Sequence, residues 1–215
     1  MLPFTHAQFL EVFARYNLAV WPAQLLAYVL GAAMVAALVL SRSPFTGRFV
    51  AAGLASMWAW TGIAYHWMQF AAINKAAWAF GALFMLQAVL FAHAAVTDRL
   101  QFGRAVSKPS LWLGWTLVVY ASIIYPLLGV FFGPGYPDMP MFGITPCPVT
   151  IFSFGLLLLA TAPVRRGLLV IPVLWSLIGG SAAFLLQVPQ DWLLLFSGAS
   201  VLLIARHRST KITIP

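Results

Sequence analysis

The stretch GYPDMPMFGITPCPVTIFSFG, residues 135–155, lies between two strongly apolar segments and holds four prolines and the only cysteine, Cys147. Proline has a fixed φ and no backbone N–H, so a helix cannot run through this stretch, although Pro148 suits the first turn of a new one. Two interpretations of the break remain open. It is an outer loop, or it is extended backbone that enters the protein and lines a cavity.

The composition around this stretch is that of an integral membrane protein. Of 215 residues, 62% are hydrophobic and only 7% are charged, and the mean hydropathy is +0.93. A soluble domain carries roughly 25% charged residues. The net charge of +8 does not indicate a nucleic-acid binder, because the basic residues form small clusters between apolar segments and no basic stripe.

The apolar segments predict an all-α bundle of seven transmembrane helices in one domain, residues 1–215. A span needs about 20 apolar residues. The fifth segment is short for this role, which is why the proline-rich stretch before it matters. The predicted spans are residues 18–40, 49–68, 76–97, 111–132, 148–164, 167–187 and 191–205.

The basic residues predict the orientation of this bundle. Ten of the twelve Lys and Arg residues follow spans one, three, five and seven, so the positive-inside rule puts the C-terminus in the cytoplasm and the N-terminus outside. Only Arg15 and Lys75 fall on the other side. The ten are Arg42, Arg48, Arg99, Arg104, Lys108, Arg165, Arg166, Arg206, Arg208 and Lys211.

Two further features of the architecture follow from the pattern. Thr5 and Gln8 form a capping box that predicts a short interfacial helix before the first span, unless these residues simply extend that span. Similar placements of Trp, Gly and Pro suggest two three-helix repeat units, residues 18–97 and 148–205, joined by helix 111–132. This is a 3+1+3 arrangement.

Six polar residues are predicted at the outer side and are candidates for a solute path. Ionisable groups within a membrane protein are functional candidates by default. Simpler roles stand beside this one: Asp191 as a helix cap, His66 as an interfacial anchor and Cys147 as a packing residue. The candidate path residues are His66, Asn74, Tyr136, Cys147, Gln190 and Asp191.

A metal site is the sharper alternative for the same region. A thiolate with thioethers and an imidazole suits a soft ion such as Cu(I), and the candidate ligands are Cys147, Met139, Met141 and His66. No CxxC, HxxxH or MxxM spacing supports it. Nucleotide-binding and zinc-protease motifs are also absent, so we predict neither an enzyme nor a bound cofactor.

Four stretches resemble a family of small bacterial integral membrane proteins of unknown function, some of which are labelled permeases. The most specific is PMFGITPCPVTIFSFGLLLL, residues 140–159, with its PCPxTIFxFGLLL pattern. The others are LPFTHAQFLEVFARYNLAVWPAQ, INKAAWAFGALFMLQA and IPVLWSLIGGSAAFLLQVPQDW. The resemblance implies a bacterial inner-membrane protein and supplies no catalytic residues. The 3+1+3 arrangement is similar in architecture to the small sugar transporters and PQ-loop proteins.

The sequence therefore favours a small-solute transporter or channel with an outward-facing polar vestibule. The alternative is a non-transport membrane protein that binds or senses a soft metal ion or a lipid, or that scaffolds a partner. The expected partners are the lipid bilayer and a small solute or ion, with no nucleic acid.

Overall fold

The computed structural model describes residues 3–41, 43–103, 106–186 and 188–210, with side chains described up to residue 202. Within these residues the protein is all-helical, and its only β contact is an isolated bridge between Phe102 and Ala160. The α-helices are α1 His6–Ala19, α2 Ala23–Leu40, α3 Thr46–Trp60, α4 Ala77–Val96, α5 Lys108–Val119, α6 Tyr125–Phe131, α7 Pro146–Leu158, α8 Gly167–Leu185 and α9 Trp192–Thr210.

Two of these helices continue into π-helical segments. The first π segment, Thr61–Trp67, extends α3, and the second, Tyr120–Ile124, joins α5 to α6 in one continuous helix. Each π turn inserts an extra residue and so rotates the side chains that follow it. Short 3₁₀ turns, Phe70–Ala72 and Pro189–Asp191, follow the first π segment and precede α9.

Four helices are long and apolar enough to cross a membrane: Ala23–Leu40, Ala77–Val96, Lys108–Phe131 and Gly167–Leu185. The fifth predicted span, residues 148–164, has different bounds, because its helix α7 is only 13 residues long and ends at Leu158. The first predicted span, residues 18–40, also starts too early. The capping box of Thr5 and Gln8 is present, and it opens the separate helix α1.

Helix α7 lies at the centre of the bundle, against α3, α5, α8 and α9. Every residue from 148 to 160 is buried, so this helix presents no face to the surroundings. Trp58 Nε1 of α3 donates a 2.9 Å hydrogen bond to Ser153 Oγ of α7. Helix α5 approaches so closely that a Cβ on Gly155 would lie 2.9 Å from the Gly114 carbonyl oxygen.

The proline-rich segment before α7 is also buried in the protein. Residues 139–146 are buried except for the half-buried Met141. The Asn17 Nδ2 of α1 donates to the carbonyls of Pro137 and Met139, at 2.7 and 2.8 Å. Gly143 has φ of +76° and sits so close to α2 that a Cβ would lie 2.7 Å from Ala27 Cβ. These contacts favour the second interpretation of the break, namely extended backbone held inside the protein.

The loops gather at two ends of the bundle. At one end Thr161 N donates to the Gln101 carbonyl at 2.8 Å, and Arg48 Nε lies 3.9 Å from Asp98 Oδ1. Helix α1, the 3₁₀ turns and the proline-rich segment lie at the other end, where Tyr16 of α1 donates to the Ile144 carbonyl at 2.8 Å. The segments that carry Arg48, Arg99 and Arg165 therefore share one end, whereas Lys75 and the candidate path residues lie toward the other.

Candidate solute-binding cavity

A cavity of about 230 Å³ lies beneath α1 at the end of the bundle that is opposite the basic loops. Its walls come from α1, the first π segment, the start of α7, the second half of α8 and the turn before α9. Most of the wall is aromatic or formed by small side chains, with few polar groups. The lining residues include Phe9, Phe13, Tyr65, Phe70, Asn74, Cys147, Trp175, Gly179, Ala182 and Asp191.

Asp191 is the one carboxyl-bearing residue among the described residues that line this cavity. Asp191 is only 5% exposed, and the hydroxyl of Tyr125, itself fully buried, donates a hydrogen bond to Asp191 Oδ1. The Cys147 thiol lies beside the same carboxyl. Tyr120 donates at 2.8 Å to the backbone carbonyl of Gln190, which fixes the turn that carries Asp191.

The two π segments place the tyrosines of the site. Tyr65 lies in the first, where it contributes to the cavity wall, and Tyr120 opens the second, directly before the helix that carries Tyr125. A π insertion shifts the register of all later side chains by one position, and such insertions are frequent at functional sites. The site therefore depends on two local departures from α-helical geometry.

Helix α1 forms the roof of the cavity through Phe9 and Phe13. Phe13 stacks on Tyr65 with ring centroids 5.5 Å apart. Tyr16 fixes the helix from below, since it donates to the Ile144 carbonyl and accepts a 2.8 Å hydrogen bond from Trp60 Nε1. Burial raises the pKa of the Tyr16 phenol, which keeps this group a neutral donor.

His66 lies behind the cavity wall and not in it. The ring is fully buried, 4.7 Å from Phe84 and 5.1 Å from Trp175 between centroids. Neither of its ring nitrogens has a hydrogen-bond partner among the described residues. Leaving a buried imidazole without a hydrogen-bond partner is costly, and the ring contacts Trp175 and Tyr65, which line the cavity.

A family model described as a Family of unknown function (DUF6064) matches residues 6–214. The chain belongs to this family. The expectation of a family without an assigned function is thereby confirmed. Neither a curated protein nor a solved structure matches the chain.

In this DUF6064 chain the structure brings together only part of the predicted path. Cys147, Asp191 and Asn74 line the cavity, and the Asn74 side chain also accepts a 3.1 Å hydrogen bond from Ala76 N in the turn before α4. Gln190 is buried beside Asp191, where its backbone carbonyl is the part in use.

Tyr136 lies elsewhere in the DUF6064 chain. It lines an apolar groove of about 480 Å³ between α2 and the α5–α6 helix, together with Met139 and Met141. The four residues predicted as soft-metal ligands are thus divided between this groove, the cavity and the cluster around His66. Among the described residues no group of three or more His, Cys, Asp or Glu side chains could hold a metal ion.

Three residues of the site were missed by the sequence reasoning: Tyr65, Tyr125 and Trp175. Tyr65 directly precedes the candidate His66, and Trp175 lies within the stretch IPVLWSLIGGSAAFLLQVPQDW that carries part of the family resemblance. Tyr125 precedes a proline in the middle of a predicted span, where a tyrosine hydroxyl needs a polar partner. That requirement was the available signal.

Proposed function

We propose that this protein is a seven-span membrane protein of the bacterial inner membrane, with its N-terminus outside and its C-terminus in the cytoplasm. Large apolar side chains on the outer faces support a lipid environment, among them Leu40, Val96 and Trp112 at 80, 78 and 75% exposure. The shared end of the basic loops supports the orientation. Helix α7 is too short to span about 30 Å of hydrocarbon, but it is shielded by its neighbours and faces no lipid.

Within this frame we propose that the protein is a small-solute transporter or channel whose outward vestibule ends at Asp191. The observation that carries the proposal is the cavity itself, because a buried carboxyl faces a space that could hold a solute. Concave, mostly apolar cavities with a few convergent polar groups are the usual form of solute sites. A carboxyl within a membrane bundle usually marks a substrate or ion pathway.

The route beyond the cavity is closed in this conformation by the packed aromatic side chains of Trp58, Phe84 and Phe91. Passage therefore needs a second conformation, and α8 is built to allow one. Pro172 in α8 cannot donate to the Leu168 carbonyl, which instead accepts a 3.1 Å hydrogen bond from Gln87 Nε2 of α4. We propose that α8 pivots at this point and moves the wall that carries Trp175.

The orientation is tested by cysteine accessibility in intact cells. In a Cys147→Ser background, Lys75→Cys should react with a membrane-impermeant maleimide, whereas Ser107→Cys should react only after the membrane is permeabilised. Both positions are exposed in the structure. Labelling of Ser107→Cys from outside would reverse the proposed orientation.

Transport is tested with purified protein in proteoliposomes on a solid-supported membrane. A panel of cationic, neutral and anionic solutes is applied, and at least one should give a current or an uptake that empty liposomes lack. The same solute should raise the melting temperature of the protein in detergent. Solutes that bind without flux would overturn transport and leave a binding or sensing role.

A lipid-binding role is the second candidate, and the outer groove favours it. The groove opens on the apolar face of the bundle between Leu25 of α2 and Leu127 of α6, and its lining is almost wholly apolar. Native mass spectrometry should then show a retained lipid that is lost when Ser122→Trp fills the groove. Equal lipid retention in both proteins would exclude this role.

A further inference from the structure

The cavity combines a buried carboxyl with aromatic walls, and nothing in the described part of the chain neutralises that carboxyl. The only ion pair among the described residues joins Arg48 and Asp98, in the loops at the opposite end. The groups against Asp191 are hydroxyl and thiol donors from Tyr125 and Cys147. An ionised carboxylate in a buried site is costly unless a cation pairs with it.

The walls supply a surface that suits one class of cation. Aromatic side chains make up much of the wall, among them Phe9, Phe13, Tyr65, Phe70 and Trp175. The rings of Phe9, Phe13, Tyr65 and Phe70 pack in one series, with Phe9 and Phe13 centroids 4.9 Å apart, and Trp175 packs separately against Phe80. Aromatic faces attract organic ammonium groups through the ring quadrupole, and they also accommodate alkyl substituents that a hydrated metal ion lacks.

The size of the cavity limits the ligand. A volume of about 230 Å³ lies below the range of roughly 300–1,000 Å³ that pockets for drug-sized ligands occupy. Gly179, which has no side chain, and Ala182 also line the cavity from α8 and leave this space open. A solute of this size has room for one ammonium group and a few carbon atoms.

We propose that the cavity binds a small organic cation of the alkylammonium class, with the charged nitrogen beside Asp191 and the alkyl groups against the aromatic wall. This inference rests on the proposed transport function, because it names the class of solute. Asp191 supplies the opposite charge, and the hydroxyl of Tyr125 holds the carboxyl in place. The aromatic residues of α1 cover the solute from above.

Isothermal titration calorimetry in detergent tests the charge requirement directly. The probe is choline, compared with its uncharged analogue in which carbon replaces nitrogen and with trimethylacetate as an anion of similar size. Choline should bind at least about tenfold more tightly than the uncharged analogue. Equal affinity of the two, or preference for the anion, overturns the proposal.

Two substitutions localise the binding. Asp191→Asn keeps the shape and an acceptor for Tyr125, so the protein should fold and lose choline affinity by at least about tenfold. Asp138→Asn is the matched control, because Asp138 lies at the same end of the bundle but does not line the cavity. It should leave binding unchanged. If Asp138→Asn weakens binding as much as Asp191→Asn does, the site is misplaced and the proposal fails.

The outcomes separate this inference from the proposed function. Choline binding that depends on Asp191 but produces no flux supports the ligand class and overturns transport. Flux of a neutral or anionic solute that is blocked when Ala182→Trp fills the cavity supports transport and overturns the ligand class. Folded protein that binds no ammonium compound of any size in a graded series also overturns the ligand class.

Discussion

Two glycines with the same backbone conformation differ in their surroundings, and this difference tests whether the proline-rich segment is packed inside the protein. Gly135 has φ of +77° with nothing within 4 Å of an added Cβ, whereas Gly143 has φ of +76° and would bring Cβ to 2.7 Å from Ala27 Cβ. The substitutions Gly135→Ala and Gly143→Ala therefore share the backbone strain and differ only in overpacking.

The expected magnitudes follow from these two contributions. Left-handed backbone costs a residue with a Cβ about 1–2 kcal/mol, and an extra methyl group in a packed interior costs about 1–3 kcal/mol more. Gly135→Ala should thus lower the free energy of unfolding by about 1–2 kcal/mol, and Gly143→Ala by about 2–5 kcal/mol. The difference in melting temperature should be roughly 2–12 °C for a protein of this size.

The assay is unfolding of the detergent-solubilised protein by a denaturing detergent, monitored by circular dichroism. Ala27→Gly alone should cost about 1 kcal/mol as a glycine in a helix. In combination with Gly143→Ala it removes the clash, so the double substitution should be less destabilising than the sum of the two. Equal destabilisation by Gly135→Ala and Gly143→Ala, with no coupling to Ala27, would refute the packed segment and restore the outer loop.

Three further predictions concern individual contacts within the bundle. Gln87→Leu should lower the free energy of unfolding by about 1–3 kcal/mol, because the Leu168 carbonyl freed by the proline of α8 then loses its donor. Tyr125→Phe should also lower the free energy of unfolding by about 1–3 kcal/mol, because the Asp191 carboxyl then loses a hydrogen-bond donor. This loss of stability should vanish in a background that carries Asp191→Leu. Gly47→Ala should cost at least about 3 kcal/mol, because its Cβ would lie 1.7 Å from a backbone oxygen of the loop after α4.

Each of these predictions has its own control. Gly167→Ala adds a methyl group to open space at the start of α8, so it should have almost no effect in the same unfolding titration. Gln87→Met removes the amide donor with a side chain of similar length, and it should be about as destabilising as the leucine variant. Persistence of the full Tyr125→Phe loss when Asp191 is also replaced would show that the hydroxyl serves another partner.

The helices were largely predictable from the sequence because apolar segments of membrane length are a strong signal. The bounds of α2, α4 and α8 lie within a few residues of the predicted spans, except at the start of α2. There the turn at Trp21–Pro22 separates α1 from α2. Helix α7 was harder, since its sequence is apolar past its end at Leu158. The chain leaves the helix there to bridge to Phe102, a contact distant in sequence.

The cavity was only partly predictable, because its residues meet through packing that no spacing along the chain reveals. Asp191 and Cys147 stood out as rare residue types in an apolar chain, and both line the cavity. Tyr136 also stood out as a polar group at the same end, yet it lies in the outer groove. Tyr125 reaches Asp191 only after the register shift of the second π segment, which a helical periodicity of 3.6 does not anticipate.

Buried side chains in this bundle mostly serve the backbone wherever it departs from a regular helix. Gln87 donates to the carbonyl that a proline leaves free, Asn17 and Tyr16 to carbonyls of the extended segment, and Tyr120 to the turn before α9. Asp191 departs from this pattern, because its carboxyl takes the Tyr125 hydroxyl for itself. A structural role needs only an acceptor oxygen, which Asn also provides, whereas recognition of a cationic solute needs an ionised carboxylate, so Asp191→Asn separates the two.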